Sequence, residues 1–149
     1  HPEDKMFEEL NYEDLDEVME RIRGTDAKET NVIIFDDQSA YLKNKETLRL
    51  FKELIFNRRH LRTSIYFLNQ TFFSVPKELR RLFSNIFVFK VSRNEMKNLF
   101  EEVVEQDHVK ELMPQISKLV FDRPYQYLFI NTDNQKFYKG FDRIDFAED

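Results

Sequence analysis

A chain of 149 residues with 41% apolar and 15% aromatic side chains can close one core of ordinary density, and its length fits a single domain. The lack of cysteine excludes a disulfide framework and a thiolate metal site. No apolar run approaches the roughly 18 residues of a membrane helix, and the acidic stretch His1 to Leu10 does not read as a secretory signal, so a soluble, intracellular protein without membrane partners is expected. The net charge of −5 conceals a polarity along the chain: residues 1–37 sum to −9, residues 38–56 to +2, residues 57–93 to +7 and residues 94–149 to −5. A basic centre between acidic flanks keeps nucleic acid open as a partner despite the negative total.

In chain order, Met6 to Arg23 places Phe7, Leu10, Leu15, Val18, Met19 and Ile22 at helical spacing with acids between them, which predicts an amphipathic helix with a break near Asn11. Gly24 to Thr30 reads as a loop. The run Val32, Ile33, Ile34, Phe35 is short, continuously apolar and β-branched, as expected of a strand buried on both faces of a mostly parallel sheet. A helix from Lys45 to Arg59 carries Leu48, Phe51, Leu54 and Ile55 on one face. A second strand spans Ser64 to Asn69, and Ser74 and Pro76 lead into a short helix, Pro76 to Phe83.

A third strand is expected over Ile86 to Val91. Ser92 and Glu95 have capping-box spacing ahead of a helix from Arg93 to Gln106. A further helix, Val109 to Leu119, is interrupted at Pro114, and Tyr127 to Ile130 with Lys136 to Tyr138 flank turn residues and predict a hairpin. Strand alternating with helix is the order of an α/β sheet. The expected organisation is one domain: a helix and loop over 1–30, a core over 31–106, and a helix and hairpin over 107–149.

The first strand ends in Asp36 and Asp37, which places two carboxylates at the carboxyl edge of a sheet, where α/β folds hold their ligands. Aspartate also opens turns, and on these two residues alone both readings stand. The next strand breaks the tie, because it ends in Asn69 and Gln70, amides able to position water or sense a phosphate beside the acids.

Together these features resemble the FtsK/HerA superfamily of DNA pumps. The likeness rests on VIIFDD at Val32 to Asp37, NRRH at Asn57 to His60, SIYFLNQ at Ser64 to Gln70 and SVPKELRRLFSN at Ser74 to Asn85, with Arg59 eleven residues before Gln70. These segments are most similar to the genome-packaging ATPases of nucleocytoplasmic large DNA viruses, over roughly residues 30–106. The resemblance implies a P-loop ATPase fold of the RecA-like type and an ATP-driven motor that moves double-stranded DNA into a capsid.

It further implies ATP and Mg²⁺ as cofactors and a ring of like subunits, with capsid or portal proteins as further partners and the viral factory or assembling virion as the place of work. Asp36 is then the Walker B metal ligand and Asp37 the base that polarises water, with Gln70 beside them. Arg59 is the first candidate for an arginine reaching a neighbour's nucleotide, and Arg81 with Arg80 the second. Arg58, Arg62, Lys77 and Arg80 are candidates for sequence-indifferent phosphate contact. For each arginine an ordinary solvated or salt-bridged surface role stays open.

One family feature is missing. No G-x-x-x-x-G-K-[ST] occurs, and glycine stands only at Gly24 and Gly140, so these residues do not build a phosphate-cradling loop. The expectation is therefore a carboxy-terminal portion of a longer ATPase, inactive alone. Competing readings are a catalytically inert assembly module derived from an ATPase, and a two-metal nuclease in which Asp122 or Glu53 joins Asp36 and Asp37. A phosphoacceptor receiver needs an acceptor aspartate where Asn69 and Gln70 stand. His1, His60 and His108 lack ligand spacing, and no nucleophile elbow is present.

Overall fold

A computed structural model describes residues 5–146, which fall into two compact units divided between Leu82 and Phe83. In the first, helix α1 (Tyr12–Arg23) begins where Asn11 accepts the Asp14 amide through its side chain at 2.8 Å. The helix thus starts at the break expected near Asn11 and not at Met6, because the Asn11 side chain satisfies a backbone donor that no helical carbonyl can reach. Strand β1 (Asn31–Asp36), a 3₁₀ turn (Ser39–Lys43), α2 (Lys45–Asn57) and strand β2 (Thr63–Leu68) follow. Asn44 caps α2 by accepting from the Glu46 and Thr47 amides. A second 3₁₀ turn (Phe72–Ser74) and the four-residue α3 (Lys77–Arg80) complete the unit.

β1 and β2 pair in parallel, with Phe35 opposite Phe67 and Asp36 opposite Leu68. Their odd-numbered residues face α2: the Phe35, Phe51 and Phe67 rings meet with centroids 4.8 to 5.9 Å apart. Phe51 and Leu54 are fully buried there, and α1 adds Leu15, Met19 and Ile22. The expectation of a strand buried on both faces is corrected. Val32, Ile34, Tyr66 and Leu68 on the opposite face are 62%, 61%, 54% and 50% exposed, because the helices cover one side only. Among the described residues the sheet has two strands, so each presents an unpaired backbone edge.

The second unit starts with strand β3 (Asn85–Phe89), then α4 (Arg93–Val103), α5 (Asp107–Glu111), α6 (Met113–Val120) and the strands β4 (Tyr127–Asn131), β5 (Lys136–Lys139) and β6 (Asp142–Ile144). Ser92 caps α4 by accepting the Glu95 amide at 3.2 Å, as its spacing predicted. Pro114 stands in the first turn of α6, where its missing N–H leaves no bond unmade. The break at Pro114 is therefore a helix start.

The expected mostly parallel arrangement is not what β3 adopts. It pairs antiparallel with β4, and the order β3-β4-β5-β6 is antiparallel throughout. The 127–138 hairpin offers a complementary strand close in sequence, which needs no long crossover. Val88, Leu128, Ile130 and Phe137 point inward and are buried with Met96, Leu99, Phe100, Val109, Ile116 and Val120. The opposite face carries Phe87, Phe129 and Tyr138 as a cross-strand ladder, with ring centroids 4.7 and 5.0 Å apart.

Candidate functional site

Parallel pairing of β1 with β2 brings their carboxyl ends side by side, and this alone places the acidic pair next to the amide pair. Beyond the last register pair, the Asp37 amide donates to the Leu68 carbonyl at 2.9 Å, while Gln70 Nε2 donates to Asp37 Oδ2 at 2.9 Å. Asp37, Gln70 and Asp36 are all solvent-accessible. By strand alternation Asp36 shares the open face with Val32 and Ile34, so the two carboxylates leave the strand in different directions.

Asp37 has φ +53°, in the left-handed region that most side-chain-bearing residues avoid and that aspartate and asparagine enter most readily. A residue held there beside a functional group is a place where the surrounding bonds fix the backbone against its own preference. Here the Leu68 carbonyl and the Gln70 amide supply that restraint.

Gln38, unassigned from sequence, and Asn69, one of the two amides expected beside the acids, also shape the site. Gln38 donates from Nε2 to the Asp36 carbonyl at 3.0 Å and accepts the Leu10 amide at 2.9 Å. It ties the segment before α1 to the acidic turn; a lone glutamine after two aspartates reads as a turn residue and gives no stronger signal. Asn69 donates from Nδ2 to the Thr71 carbonyl at 2.7 Å and to Ser74 Oγ. Its Oδ1 is buried and has no donor among the described residues.

The basic candidates separate by position. Arg59 is exposed in the turn before β2, at the opposite end of that strand from Gln70, about 20 Å along a six-residue strand. Arg81 is exposed at the end of α3. Lys77 is exposed, and Arg58 caps α2 by donating to the Ile55 carbonyl at 2.9 Å.

Arg62 and Arg80 are occupied otherwise than expected. Arg62 donates to the Glu29 and Asp26 carbonyls, both at 2.9 Å, and closes the α1–β1 loop. Arg80 is only 9% exposed, with its guanidinium on the Val75 carbonyl and against Phe72 and Phe73. Each donates to carbonyls of its own chain, which gives it a structural role within the first unit.

Two exposed carboxylates suit Mg²⁺, which keeps several waters and shares its shell with substrate phosphates rather than entering an all-protein cage. A two-metal site needs more: among the described residues no group of three or more His, Cys, Asp or Glu gathers. Glu53 instead pairs with Arg23 at 3.2 Å, and Asp122 with Lys139 at 2.8 Å. The Lys139 ammonium, through its hydrogen bond, holds the Asp122 carboxyl below the ordinary 3.8. No helix among the described residues is long and apolar enough to cross a membrane.

Neither the curated proteins nor the solved structures contain a match to this chain. A family model described as Poxvirus A32 protein matches residues 7–146, which includes β1, β2 and both ends that form the Asp37–Gln70 contact. The chain therefore belongs to the Poxvirus A32 protein family, the FtsK/HerA-like genome-packaging ATPase family of poxviruses.

Proposed function

We propose that this chain supplies the Walker B and sensor half of an ATP-driven motor that packages a viral double-stranded DNA genome, working as a ring of like subunits in the viral factory or assembling virion. The observation that carries this reading is the 2.9 Å bond from Gln70 Nε2 to Asp37 Oδ2. It joins an acid and an amide from two parallel strands at the edge where α/β folds bind ligands. Family membership supports the packaging role.

Hydrolysis of ATP adds water across the terminal phosphoanhydride, giving ADP and inorganic phosphate. Mg²⁺, when bound, neutralises charge on the phosphate oxygens, and Asp36 is the residue that would hold it. Asp37 accepts a hydrogen bond from the attacking water and takes up its proton. Gln70 fixes the carboxylate orientation and offers its remaining N–H to the water or the phosphate. The phosphate cradle comes from polypeptide outside these 149 residues, since no G-x-x-x-x-G-K-[ST] is present.

The uncovered face and unpaired edges of β1 and β2 support the further reading that these strands belong to a larger, mostly parallel P-loop sheet. Further strands would satisfy the edges and a further layer would bury Val32, Ile34, Tyr66 and Leu68. The test is Asp37→Asn in the intact ATPase. Asparagine keeps the shape and the left-handed backbone but cannot take the proton, so turnover should fall by roughly two to four orders of magnitude with nucleotide binding retained. Unchanged turnover would sink the assignment.

The inert-module alternative predicts that the intact protein hydrolyses no ATP, whether or not Mg²⁺-ATP binds. Steady-state turnover separates the two.

A further inference from the structure

A cation held within the apolar interior is expensive unless several groups face it, and Arg80 has such groups. Its NH1 donates to the Val75 carbonyl at 2.7 Å and to the Phe73 carbonyl at 3.4 Å. Its guanidinium carbon lies 5.2 Å from the Phe72 ring centroid and 4.9 Å from that of Phe73. The two rings meet edge to face with centroids 5.3 Å apart, so one guanidinium reads both faces and both carbonyls of the same short segment.

That segment is the far half of the loop that begins at Gln70. Asn69 and Thr71 fix its internal shape: Asn69 Nδ2 bonds the Thr71 carbonyl, and the Ser74 amide donates to Thr71 Oγ1 at 3.3 Å. The helix from which Arg80 reaches back is itself anchored, by buried Leu79 and by the Glu78 pair with Lys52 on α2 at 2.6 Å. Arg80 thus connects a fixed support to a loop whose other end carries an exposed amide.

We infer that Arg80 is a positioning residue: by clamping Phe72, Phe73 and the Val75 carbonyl, it holds the loop after β2 so that the Gln70 amide stays on Asp37. This rests on the reading of Asp37 and Gln70 as the hydrolytic pair, but its physical content is a geometry measurable in this chain alone. The clamp has a specific chemistry. A methionine would fill much of the same volume without donors or charge, leaving the Val75 and Phe73 carbonyls without the guanidinium's hydrogen bonds. Packing and positioning can therefore be separated.

The experiment follows hydrogen exchange of the Gln70 side-chain amide by NMR in the ¹⁵N-labelled 149-residue chain, with the Asp37 backbone amide, bonded to the Leu68 carbonyl, as reference. In Arg80→Met the Gln70 amide should exchange roughly tenfold faster, the ratio expected for loss of one ordinary hydrogen bond. The Asp37 amide should keep its protection. Arg80→Lys, which keeps the charge and can still donate to the Val75 carbonyl, should recover most of the effect at Gln70, whereas a purely volumetric role gives lysine no advantage over methionine.

Unchanged Gln70 exchange in folded Arg80→Met overturns the inference. So does equal loss at Gln70 and Asp37, which would mark a general loosening. Should Arg80→Met fail to fold, Phe73→Leu removes one ring of the clamp and must itself speed exchange at Gln70; no change there is equally fatal. In the intact ATPase, Arg80→Met should lower kcat with the KM for ATP held. If Asp37→Asn leaves turnover intact, the hydrolytic reading falls, while the exchange measurement still decides whether the clamp exists.

Discussion

At Asp37 two requirements meet in one residue, a left-handed backbone and a carboxylate within reach of Gln70. They can be separated by substitution. Asp37→Asn keeps the backbone tolerance, and its stability should stay close to that of the parent. Asp37→Ala gives up that tolerance along with the polar contact, and should destabilise the chain by about 1 to 3 kcal/mol more than asparagine does, measured by urea unfolding. Arg62 is the second residue whose role is set by its bonds. Loss of its links to the Glu29 and Asp26 carbonyls in Arg62→Ala should cost about 1 to 3 kcal/mol, and DNA affinity of the intact protein should be unchanged at matched salt. A large fall in affinity would return Arg62 to the nucleic-acid surface.

Among the elements, those specified by local chemistry were legible in sequence and those specified by distant partners were not. Asn69 and Gln70 closing an apolar strand, and Ser92 with Glu95 opening a helix, are short-range signals, and both sit where expected. The placement of β3 depends on which strand competes for its edge, and a periodicity shared by parallel and antiparallel strands carries no record of that. The burial of Arg80 was equally hidden, since an arginine following Lys-Glu-Leu reads as surface until Phe72 and Phe73 are folded against it. β6 had only a three-residue run, Asp142–Ile144, to announce it.

The Asp122–Lys139 pair belongs to this scale, because it links the segment after α6 to β5. Asp122's folded pKa lies below its unfolded value, so its stabilising contribution is present above the unfolded value and is lost as pH falls through the folded one. The Tm difference between the parent and Asp122→Asn should therefore shrink on acidification below about pH 4. Both partners are partly exposed, so the effect is small and should weaken further in high salt. A difference that grows on acidification would contradict the assignment.

For the whole molecule, the position of Arg59 makes a demand on assembly. It stands at the end of β2 away from Asp37 and Gln70, so in the proposed ring its place is at a neighbour's nucleotide and not at its own. Mixing Arg59→Ala with Asp37→Asn subunits of the intact ATPase should then restore part of the activity that each lacks alone, since some interfaces regain a complete set of groups. Turnover that never exceeds the weighted sum of the two pure variants would dismiss Arg59 as a trans finger.

The unpaired edges of β1 and β2 also make the chain a strand acceptor. Among the described residues the outer edges of these two strands have no ladder partner; such edges beside Val32, Ile34, Tyr66 and Leu68 recruit extended segments, and at high concentration the nearest one belongs to another copy. The self-associated fraction of the isolated chain should consequently rise with concentration, as light scattering would measure. The same property suits it to a split-protein assay, in which a donor peptide is recognised by its power to keep the chain in solution.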